Sequence, residues 1–226
     1  MVLTIIYGEL GSGKTLTQTY LIWRQWFWGG KKIYSNYPLF KIPYVPITTM
    51  NQFMEMREGA FGGDEFWLVI DSRLSQSKRN RMASILLLRS RRRKLHIFIT
   101  SQTLDQVDKR IRKITDFSMY PCLNADKTIC KVIAFKTGYP KPAFYMHTFY
   151  YPTKPVFEMY DTYAEPFPLS AEPDDTKEYS FVFQESMNSK PKIFKSWEEA
   201  DKHGREYWKN LVKNPKFREL LTAYGR

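Results

Sequence analysis

Apolar runs and amphipathic stretches alternate along the first half of the chain. Residues 3–7 are apolar without a period, as in a buried strand, and residues 16–28 follow a helical pattern that Gly29 and Gly30 end. Residues 31–37 predict a second strand. We therefore expect the order strand, loop, helix, strand at the start of the chain.

The same alternation continues after a connection that Pro38, Pro43 and Pro46 keep irregular. The elements predicted there are a helix over 50–58 capped by Thr49, a helix over 82–94 with a very basic end, a strand over 95–101 and a helix over 103–114. Strands that alternate with helices indicate an α/β fold, with a mostly parallel sheet covered by helices on both faces.

The second half of the chain has a different pattern. From about residue 121 to residue 167 it is rich in Tyr, Phe, Val and Pro, with a predicted hairpin turn at 124–127, which indicates a β-rich extension. The polar, acidic run 170–178 predicts a linker. Helices are predicted after a capping box of Ser196 and Glu199, and again after Pro215. We expect one domain over 1–167, and a linker with a C-terminal helical segment over 168–226.

Composition narrows the class of protein. The 226 residues are 43% hydrophobic, enough for a sizeable core, but no apolar run approaches the ~20 residues of a transmembrane helix, and no signal peptide is evident. We expect a cytoplasmic protein without a transmembrane segment. The two cysteines, Cys122 and Cys130, fit thiols in or near the core, although a disulfide across the hairpin stays open. The three histidines are scattered, so no metal site made of protein ligands alone is predicted.

Nearly all of the net charge of +12 lies in one segment. Residues 73–113, here called the basic segment, contain thirteen Lys or Arg and two Asp, which leaves +1 for the rest of the chain. Such a concentration creates a strong local potential for polyanions. Nucleic acid is the expected partner. Because zinc-finger spacing and RNA-binding aromatic motifs are absent, contact with the phosphate backbone is favoured over readout of bases.

The sequence GELGSGKT, from Gly8 to Thr15, matches the P-loop pattern GxxxxGK[ST] and lies between a predicted strand and a predicted helix. Glycines let backbone N–H groups turn toward phosphates, Lys14 reaches the β- and γ-phosphates, and the hydroxyl of Thr15 binds Mg²⁺. We predict that ATP and Mg²⁺ bind here. The predicted nucleotide-binding residues are Gly8, Glu9, Leu10, Gly11, Ser12, Gly13, Lys14, Thr15 and Leu16.

Hydrolysis also needs an aspartate near Mg²⁺ and a residue that activates water. Two candidates are present. Asp71 ends the convincing strand pattern FWLVID but is followed by Ser72, whereas Asp64 and Glu65 form an acidic pair after the glycine-rich run GAFGG, which is a poor strand by pattern. Periodicity alone favours Asp71.

The ordered motifs GELGSGKT, SNYP, DEFWLVIDSR, SRRRKLHIFITSQ, QVDKRIR and FEMYDTY cover residues 1 to about 165. Together they resemble the viral packaging and assembly ATPases of the FtsK/HerA superfamily, especially archaeal-virus packaging ATPases and the zonula-occludens-toxin-like (Zot-like) assembly proteins of filamentous phages. The resemblance implies the RecA-like P-loop NTPase fold. It also assigns the Mg²⁺ aspartate to Asp64 and the base to Glu65, with Asp71 as the alternative.

The resemblance implies further roles at the sheet edge and on the helix that follows it. Gln102, after the predicted strand 95–101, would position the attacking water. Either Arg110 or Arg112 would act in the site of a neighbouring subunit, although contact with DNA or solvent fits these arginines equally well.

These observations predict a DNA translocase that hydrolyses ATP in a ring of five or six subunits and packages a viral genome. Its partners would be double-stranded DNA and capsid or portal-vertex proteins, in the host cytoplasm or the virion. A Zot-like export ATPase, a P-loop small-molecule kinase and a nucleotide-gated DNA-binding scaffold are the alternatives. The residues predicted to contact DNA are Lys78, Arg79, Arg81, Arg91, Arg92, Arg93 and Lys94.

Overall fold

The computed structural model describes residues 2–66, 85, 87–90, 92–137, 146–167, 169 and 179–222. The strands are β1 (Leu3–Tyr7), β2 (Lys32–Ser35), β3 (Val45–Pro46), β4 (Gly59–Gly63), β5 (His96–Ser101), β6 (Phe117–Leu123), β7 (Ile129–Lys136), β8 (Met146–Pro152), β9 (Phe181–Phe183) and β10 (Lys192–Phe194). The helices with both ends described are α1 (Lys14–Phe27), α2 (Met50–Glu55), α3 (Lys109–Ile114), α4 (Lys154–Phe157), α5 (Trp197–Leu211) and α6 (Pro215–Thr222).

The first eight strands form one sheet in the order β3-β2-β4-β5-β1-β6-β7-β8. The strands from β3 to β6 in this order are parallel, and β7 and β8 are antiparallel to their neighbours. The predicted mostly parallel sheet is confirmed. The predicted β-rich extension widens this same sheet, and the turn at 124–127 joins β6 to β7 as expected, with the Lys127 N–H donating to the Asn124 carbonyl at 3.0 Å.

Apolar side chains pack on both faces of the sheet because alternate residues of its strands point in opposite directions. On one face, Ile6 and Phe98 lie in a core with the aromatic residues of α1, including the fully buried Trp23 and Trp26. On the other, Ile5 and Ile97 pack with α2, α3 and their neighbours. The aromatic run after the P-loop is therefore mainly core, as the helical spacing predicts.

The strand β4 has the sequence GAFGG, which the pattern alone rates as a poor strand, yet all five residues are buried between β2 and β5. Its glycines are explained by close packing. A Cβ on Gly59 would lie 2.4 Å from the Lys32 carbonyl oxygen, and one on Gly63 would lie 2.8 Å from atoms of both Phe61 and Phe66. The rival strand pattern over 66–71 lies, beyond Phe66, outside the described residues.

Two predicted helices differ from the structure. The stretch 103–114 is a 3₁₀ turn (Leu104–Gln106), a break with extended backbone at Val107 and Asp108, and then α3. Each part has its own cap, and the Asp108 carboxylate accepts the Arg110 N–H at 2.8 Å. The predicted helix 82–94 is helical at 85 and 87–89, but residues 92–94 form a turn with Lys94 at φ 55°. The basic end is therefore a turn that leads into β5.

The C-terminal helices α5 and α6 begin where the sequence predicts. Ser196 caps α5 by accepting the Glu199 N–H at 3.3 Å, but the Glu199 carboxylate accepts the Lys195 N–H, so the expected reciprocal box is incomplete. Both helices pack on the same core as α1: the Trp208 indole N–H donates to the Lys41 carbonyl at 2.6 Å, and the Trp26 indole donates to Asp201 at 2.7 Å. Residues 197–222 are thus closely attached to the sheet domain.

Cys122 and Cys130 are both free thiols. Within the described ranges, none of the helices combines the length and hydrophobicity that crossing a bilayer requires. The predicted linker at 170–178 lies outside the described residues.

Candidate nucleotide-binding site

The loop from Gly8 to Gly13 connects the end of β1 to the first turn of α1, as the P-loop pattern predicts. Gly8, Gly11 and Gly13 have φ values of 151°, 77° and 97°, which L residues with side chains rarely adopt. Gly13 is the N-cap of α1. The first N–H groups of this helix have no partner within the helix, and its dipole favours an anion at this end. The loop is therefore shaped to receive phosphate.

Lys14 is the first residue of α1, and its ammonium lies within the loop. It donates to the carbonyl oxygens of Gly8, at 2.9 Å, and Glu9, at 2.8 Å. Burial lowers the pKa of Lys14, and the nearby carboxylates of Asp64 and Glu65 oppose that shift. An anion beside the ammonium would replace the carbonyl contacts and compensate for its burial.

Asp64 follows β4 and its carboxylate meets two threonine hydroxyls. Thr15 Oγ1, on α1, lies 3.1 Å from both carboxylate oxygens, and Thr100 Oγ1, on β5, donates to Oδ1 at 2.7 Å. Burial raises the pKa of Asp64, while the bonds from Thr100 and Thr15 act in the opposite direction. The structure thus brings together the Thr15 and Asp64 of the predicted Mg²⁺ site, and a hydroxyl plus a carboxylate is a typical Mg²⁺ ligand pair.

Glu65 is exposed beside Asp64, with a left-handed backbone at φ 46°. Its N–H donates to Thr100 Oγ1 at 2.7 Å. Thr100 consequently binds both members of the acidic pair, accepting from the backbone of Glu65 and donating to the side chain of Asp64. The strand predicted over 95–101 places Thr100 at this edge of the sheet, but no role was predicted for its side chain.

Asn36 is a second residue whose role the sequence did not reveal. It follows β2 in the motif SNYP, and its side chain forms two hydrogen bonds with the backbone of Asp64: Oδ1 accepts the Asp64 N–H at 2.7 Å and Nδ2 donates to the Asp64 carbonyl at 3.0 Å. Asn36 is buried. A polar residue directly after a buried strand, at the edge that also holds the P-loop, was the available signal.

Gln102 is exposed at the end of β5, and its carbonyl accepts the Gly8 N–H at 3.3 Å, which ties β5 to the P-loop. The residue helps to line a cavity of about 290 Å³. The cavity is lined by Leu10, Gly11, Gly13, Lys14, Thr15, Leu16, Asp64, Glu65, Thr100, Ser101, Gln102, Leu123, Lys127, Phe157, Tyr160, Asp161, Thr162 and Ala164. All the predicted residues of the site except the two arginines and Asp71 therefore lie in or beside one cavity or its loop.

One wall of this cavity comes from the motif FEMYDTY and the β6–β7 hairpin. Phe157, Tyr160 and Thr162 face the P-loop side, and Leu123 lies 3.3 Å from where a Cβ on Gly13 would be. The segment is held to the sheet domain because the Phe40 N–H donates to the Met159 carbonyl at 2.7 Å. The sequence included this motif in the resemblance but did not assign it to the cavity.

Arg110 and Arg112 both lie on α3, as predicted, but neither is among the residues that line the cavity. Arg110 forms a two-point contact with Asp108, with Nη2 2.8 Å from Oδ2 and Nε 3.0 Å from Oδ1. This contact lowers the pKa of Asp108 and raises the pKa of Arg110. Arg112 Nη1 lies 2.8 Å from Asp105 Oδ1. A role for Arg110 or Arg112 in the site of a neighbouring subunit stays a prediction.

Asp71 lies outside the described residues, as do Lys78, Arg79, Arg81 and Arg91 of the predicted DNA-contacting set. Arg92 and Arg93 line a separate cavity at the amino ends of β2 and β4. Lys94 forms an exposed ion pair with Glu58 at 2.8 Å. The structure thus separates this part of the basic segment from the P-loop by the length of the central strands.

The residues of the cavity fit a nucleotide with Mg²⁺. Ser12 Oγ is buried in the loop without a hydrogen-bond partner among the described residues, and the Lys14 ammonium and the N-terminus of α1 offer positive charge for phosphates. Across the described ranges, no group of three or more His, Cys, Asp or Glu residues could hold a metal by itself. Oxygens of Thr15 and Asp64 together with phosphate would suit Mg²⁺, which usually binds one or two carboxylates and substrate oxygens.

The strand order and the loop between β1 and α1 give the chain the fold of a P-loop NTPase. In agreement, it is similar to the N-terminal domain of zonular occludens toxin from Neisseria meningitidis, with 18% identity, a TM-score of 0.50, and coverage of 71% of this chain and 100% of that one. No family model matches the chain, and no curated protein matches its sequence.

Two other solved structures are similar over shorter or looser superpositions. One is the genome packaging NTPase B204 from Sulfolobus turreted icosahedral virus 2, with 12% identity, a TM-score of 0.46, and coverage of 65% of this chain and 95% of that one. The other is the flagellar accessory protein FlaH from Methanocaldococcus jannaschii, with 11% identity, a TM-score of 0.35, and coverage of 86% of this chain and 90% of that one.

Proposed function

We propose that this protein is a Mg²⁺-dependent ATPase of the viral packaging and assembly type. The observation that carries the proposal is the meeting of Thr15, Asp64 and Thr100 beside Lys14, at the mouth of a glycine-shaped loop. A simple anion site would not need a half-buried carboxylate next to the lysine, because that carboxylate repels phosphate unless a cation lies between them. The carboxylate is therefore best explained by Mg²⁺.

The residues of the site divide the work of hydrolysis. The loop N–H groups, Lys14 and the α1 N-terminus would bind the β- and γ-phosphates, and Thr15 with Asp64 would hold the metal, which neutralises developing phosphate charge when bound. Glu65 is exposed at the rim, where its carboxylate can accept a proton from water. Gln102 would orient that water. Asp71 stays the alternative acid.

The work done with ATP is proposed to be movement of DNA. The basic segment carries a net charge of +11 in 41 residues, which would attract a polyanion, and phosphate contacts suit a motor that grips DNA of any sequence. A ring of subunits would explain Arg110 or Arg112, because either could complete a neighbour's site with a permanent positive charge. The substrate would be double-stranded DNA, and capsid or portal-vertex proteins would hold the ring in place.

An assembly or export ATPase is the second candidate. The fold similarity to the full length of the zonular occludens toxin N-terminal domain favours it. Packaging of a viral genome is preferred because the basic segment concentrates nearly all of the net positive charge, which suits contact with DNA.

The decisive experiment is steady-state ATP hydrolysis with Mg²⁺, measured with and without duplex DNA of mixed sequence. Stimulation of hydrolysis by DNA is expected for the motor. ATP turnover that does not respond to DNA would favour the assembly ATPase, and absence of Mg²⁺-dependent turnover would overturn the proposal.

A further inference from the structure

A second charged cavity, of about 480 Å³, opens at the sheet edge opposite the P-loop. It is here called the cationic groove, and it begins where β2 and β4 begin, whereas the candidate nucleotide site lies where β1, β4 and β5 end. The residues that line the groove are Gly30, Lys32, Tyr34, Arg57, Glu58, Arg92, Arg93, Trp197 and Glu198.

Cations outnumber acids in this groove. Lys32, Arg57, Arg92 and Arg93 contribute four positive charges, against Glu58 and Glu198. Arg57 and Arg92 are exposed, so their guanidinium groups are accessible to a ligand. Of these four cations, only Arg92 and Arg93 belong to the basic segment and were predicted from the sequence to contact DNA. Lys32 and Arg57 lie far from that segment along the chain and join it only in the fold.

Positive charges near Arg93 repel its guanidinium group. Burial lowers the pKa of Arg93, and the positive charges of Arg57 and Arg89 act in the same direction. Burial also lowers the pKa of Lys32, and Glu198 opposes the shift. Like charges held at close range favour an anion between them, since an anion relieves the repulsion.

A half-buried histidine lies at the same sheet edge. His96 begins β5, beside β4, and its pKa is lowered to about 4, first by burial and then by nearby positive charge that includes Lys31. The histidine is therefore neutral at physiological pH and does not add to the charge. The cations that affect it are separate from those that line the groove.

Local hydrogen bonds hold the groove in shape. The Glu58 N–H donates to the Arg93 carbonyl at 2.8 Å, which joins the start of β4 to the basic turn, and the Arg93 guanidinium donates to the Met54 carbonyl. Lys94 forms its ion pair with the groove residue Glu58. Arg57 and Arg92 directly precede the two bonded residues, so this bond brings their parts of the chain together at the groove.

We propose that the cationic groove binds the phosphodiester backbone of a nucleic acid strand, through Lys32 and Arg57 together with Arg92 and Arg93. The proposal rests on DNA being the partner in the proposed function. Guanidinium groups bind phosphate oxygens at two points, and contacts to the phosphate backbone give affinity that does not depend on sequence. Four cations from three separate stretches of the chain line the groove, so a ligand with several phosphates fits it better than a single free phosphate.

The position of the groove also relates DNA binding to hydrolysis. Gly59 follows the groove residue Glu58 at one end of β4, and Asp64 follows Gly63 at the other. Five strand residues span about 16 Å. A single buried strand therefore connects the proposed DNA contact to the proposed Mg²⁺ ligand.

The test is DNA binding by fluorescence anisotropy, with a labelled mixed-sequence duplex over a range of salt concentrations, on the full chain. Arg57→Ala and Lys32→Gln are each expected to weaken binding about tenfold at about 0.1 M salt and to reduce the slope of log K against log[salt] by about 0.9. Lys209→Ala, which removes an exposed cation on α5, is the matched control and should leave both unchanged. Glu198→Gln should tighten binding, because it removes an acid from the groove.

ATP hydrolysis without DNA, measured on the same variants, serves as the check of folding and should stay at the wild-type rate. If the wild type binds DNA and the groove variants bind it with unchanged affinity and salt slope, the groove is not the DNA-binding site. The proposed function as a DNA-dependent motor is then unaffected. If the groove variants lose affinity but DNA does not stimulate hydrolysis, the groove stands and the motor falls. A wild type that binds no DNA overturns both.

Discussion

The side chain of Asn36 pairs with both backbone polar groups of Asp64, at 2.7 and 3.0 Å. The residue that directly follows β2 thus fixes the peptide that carries the proposed Mg²⁺ ligand after the end of β4. Asn36 is also part of the sheet edge, since its own N–H donates to the Gly62 carbonyl at 3.1 Å. It contacts no proposed reacting atom, so we regard it as a positioning residue.

Replacing Asn36 with Ala should lower kcat about tenfold to a hundredfold, as for other residues that orient a metal ligand, because the Asp64 carboxylate loses its fixed direction. The affinity for ATP without Mg²⁺ should change little, since the loop and Lys14 are untouched. Steady-state kinetics and nucleotide binding measure the two. Asn210→Ala, on the exposed face of α5, is the control. An equal loss of metal-free ATP affinity would indicate general damage to the site.

Two variants can decide whether the pair Asp64–Glu65, with Glu65 as the base, or the alternative Asp71 supplies the catalytic carboxylate. Glu65→Gln should lower ATP hydrolysis by about 10²- to 10⁴-fold while ATP binding persists, because the amide cannot accept the proton from water. Asp71→Asn should leave most hydrolysis intact. The reverse pattern would transfer the role to Asp71. Single-turnover hydrolysis with equilibrium nucleotide binding distinguishes loss of chemistry from loss of affinity.

The sequence predicted the elements whose pattern is set locally. The apolar run of β1, the glycine-shaped loop and the amphipathic α1 each carry their own signal, and all three are where the pattern places them. The acid-bearing strand β4 was rated poor because Gly59 and Gly63 suggest a loop. Their purpose, room for Lys32 and for the Phe61 and Phe66 rings, exists only in the folded sheet.

Contacts between distant segments were the other gap. The hydrogen bonds between Asn36 and Asp64 and between Glu65 and Thr100 join residues 28 and 35 positions apart along the chain. No local sequence pattern can therefore predict them. The resemblance, by contrast, named Asp64 through the order of motifs along the chain. In the structure, Asp64 lies beside Thr15. Periodicity alone favoured Asp71, which lies outside the described residues.

The arginines of α3 offer a test of the ring. Arg110→Ala and Arg112→Ala should be tested separately. We expect one of the two variants to lower ATP hydrolysis about 10³- to 10⁵-fold without loss of ATP binding, because an arginine that acts on a neighbour's nucleotide has an effect of this size. Mixing that variant with a Glu65→Gln chain, which keeps the arginine, should restore activity in part. Absence of rescue for both variants would assign these residues to their ion pairs with Asp108 and Asp105.

The C-terminal segment is expected to be part of the cooperative fold. Trp208 is 1% exposed, packs against Trp23 and Trp26, and bonds to the Lys41 carbonyl. Trp208→Ala should therefore lower the free energy of unfolding by about 3–5 kcal/mol. Denaturant unfolding measures this change, with Trp28→Ala, an exposed tryptophan at the end of α1, as the control. A small effect would mean that residues 197–222 fold and unfold separately from the sheet.

Stability should depend on acid through His96. Its folded pKa, about 4, lies below the ordinary value of 6.5, so the unfolded chain binds the proton more readily than the folded one. The neutral histidine therefore contributes stability that is fully present above about pH 6.5 and is lost as the pH falls toward 4. Melting temperatures between about pH 7 and pH 4 should drop less for His96→Gln than for the wild type. Replacement of His147, which is exposed on β8, should leave the pH profile unchanged. Parallel profiles for the wild type and His96→Gln would show that other groups control the acid response.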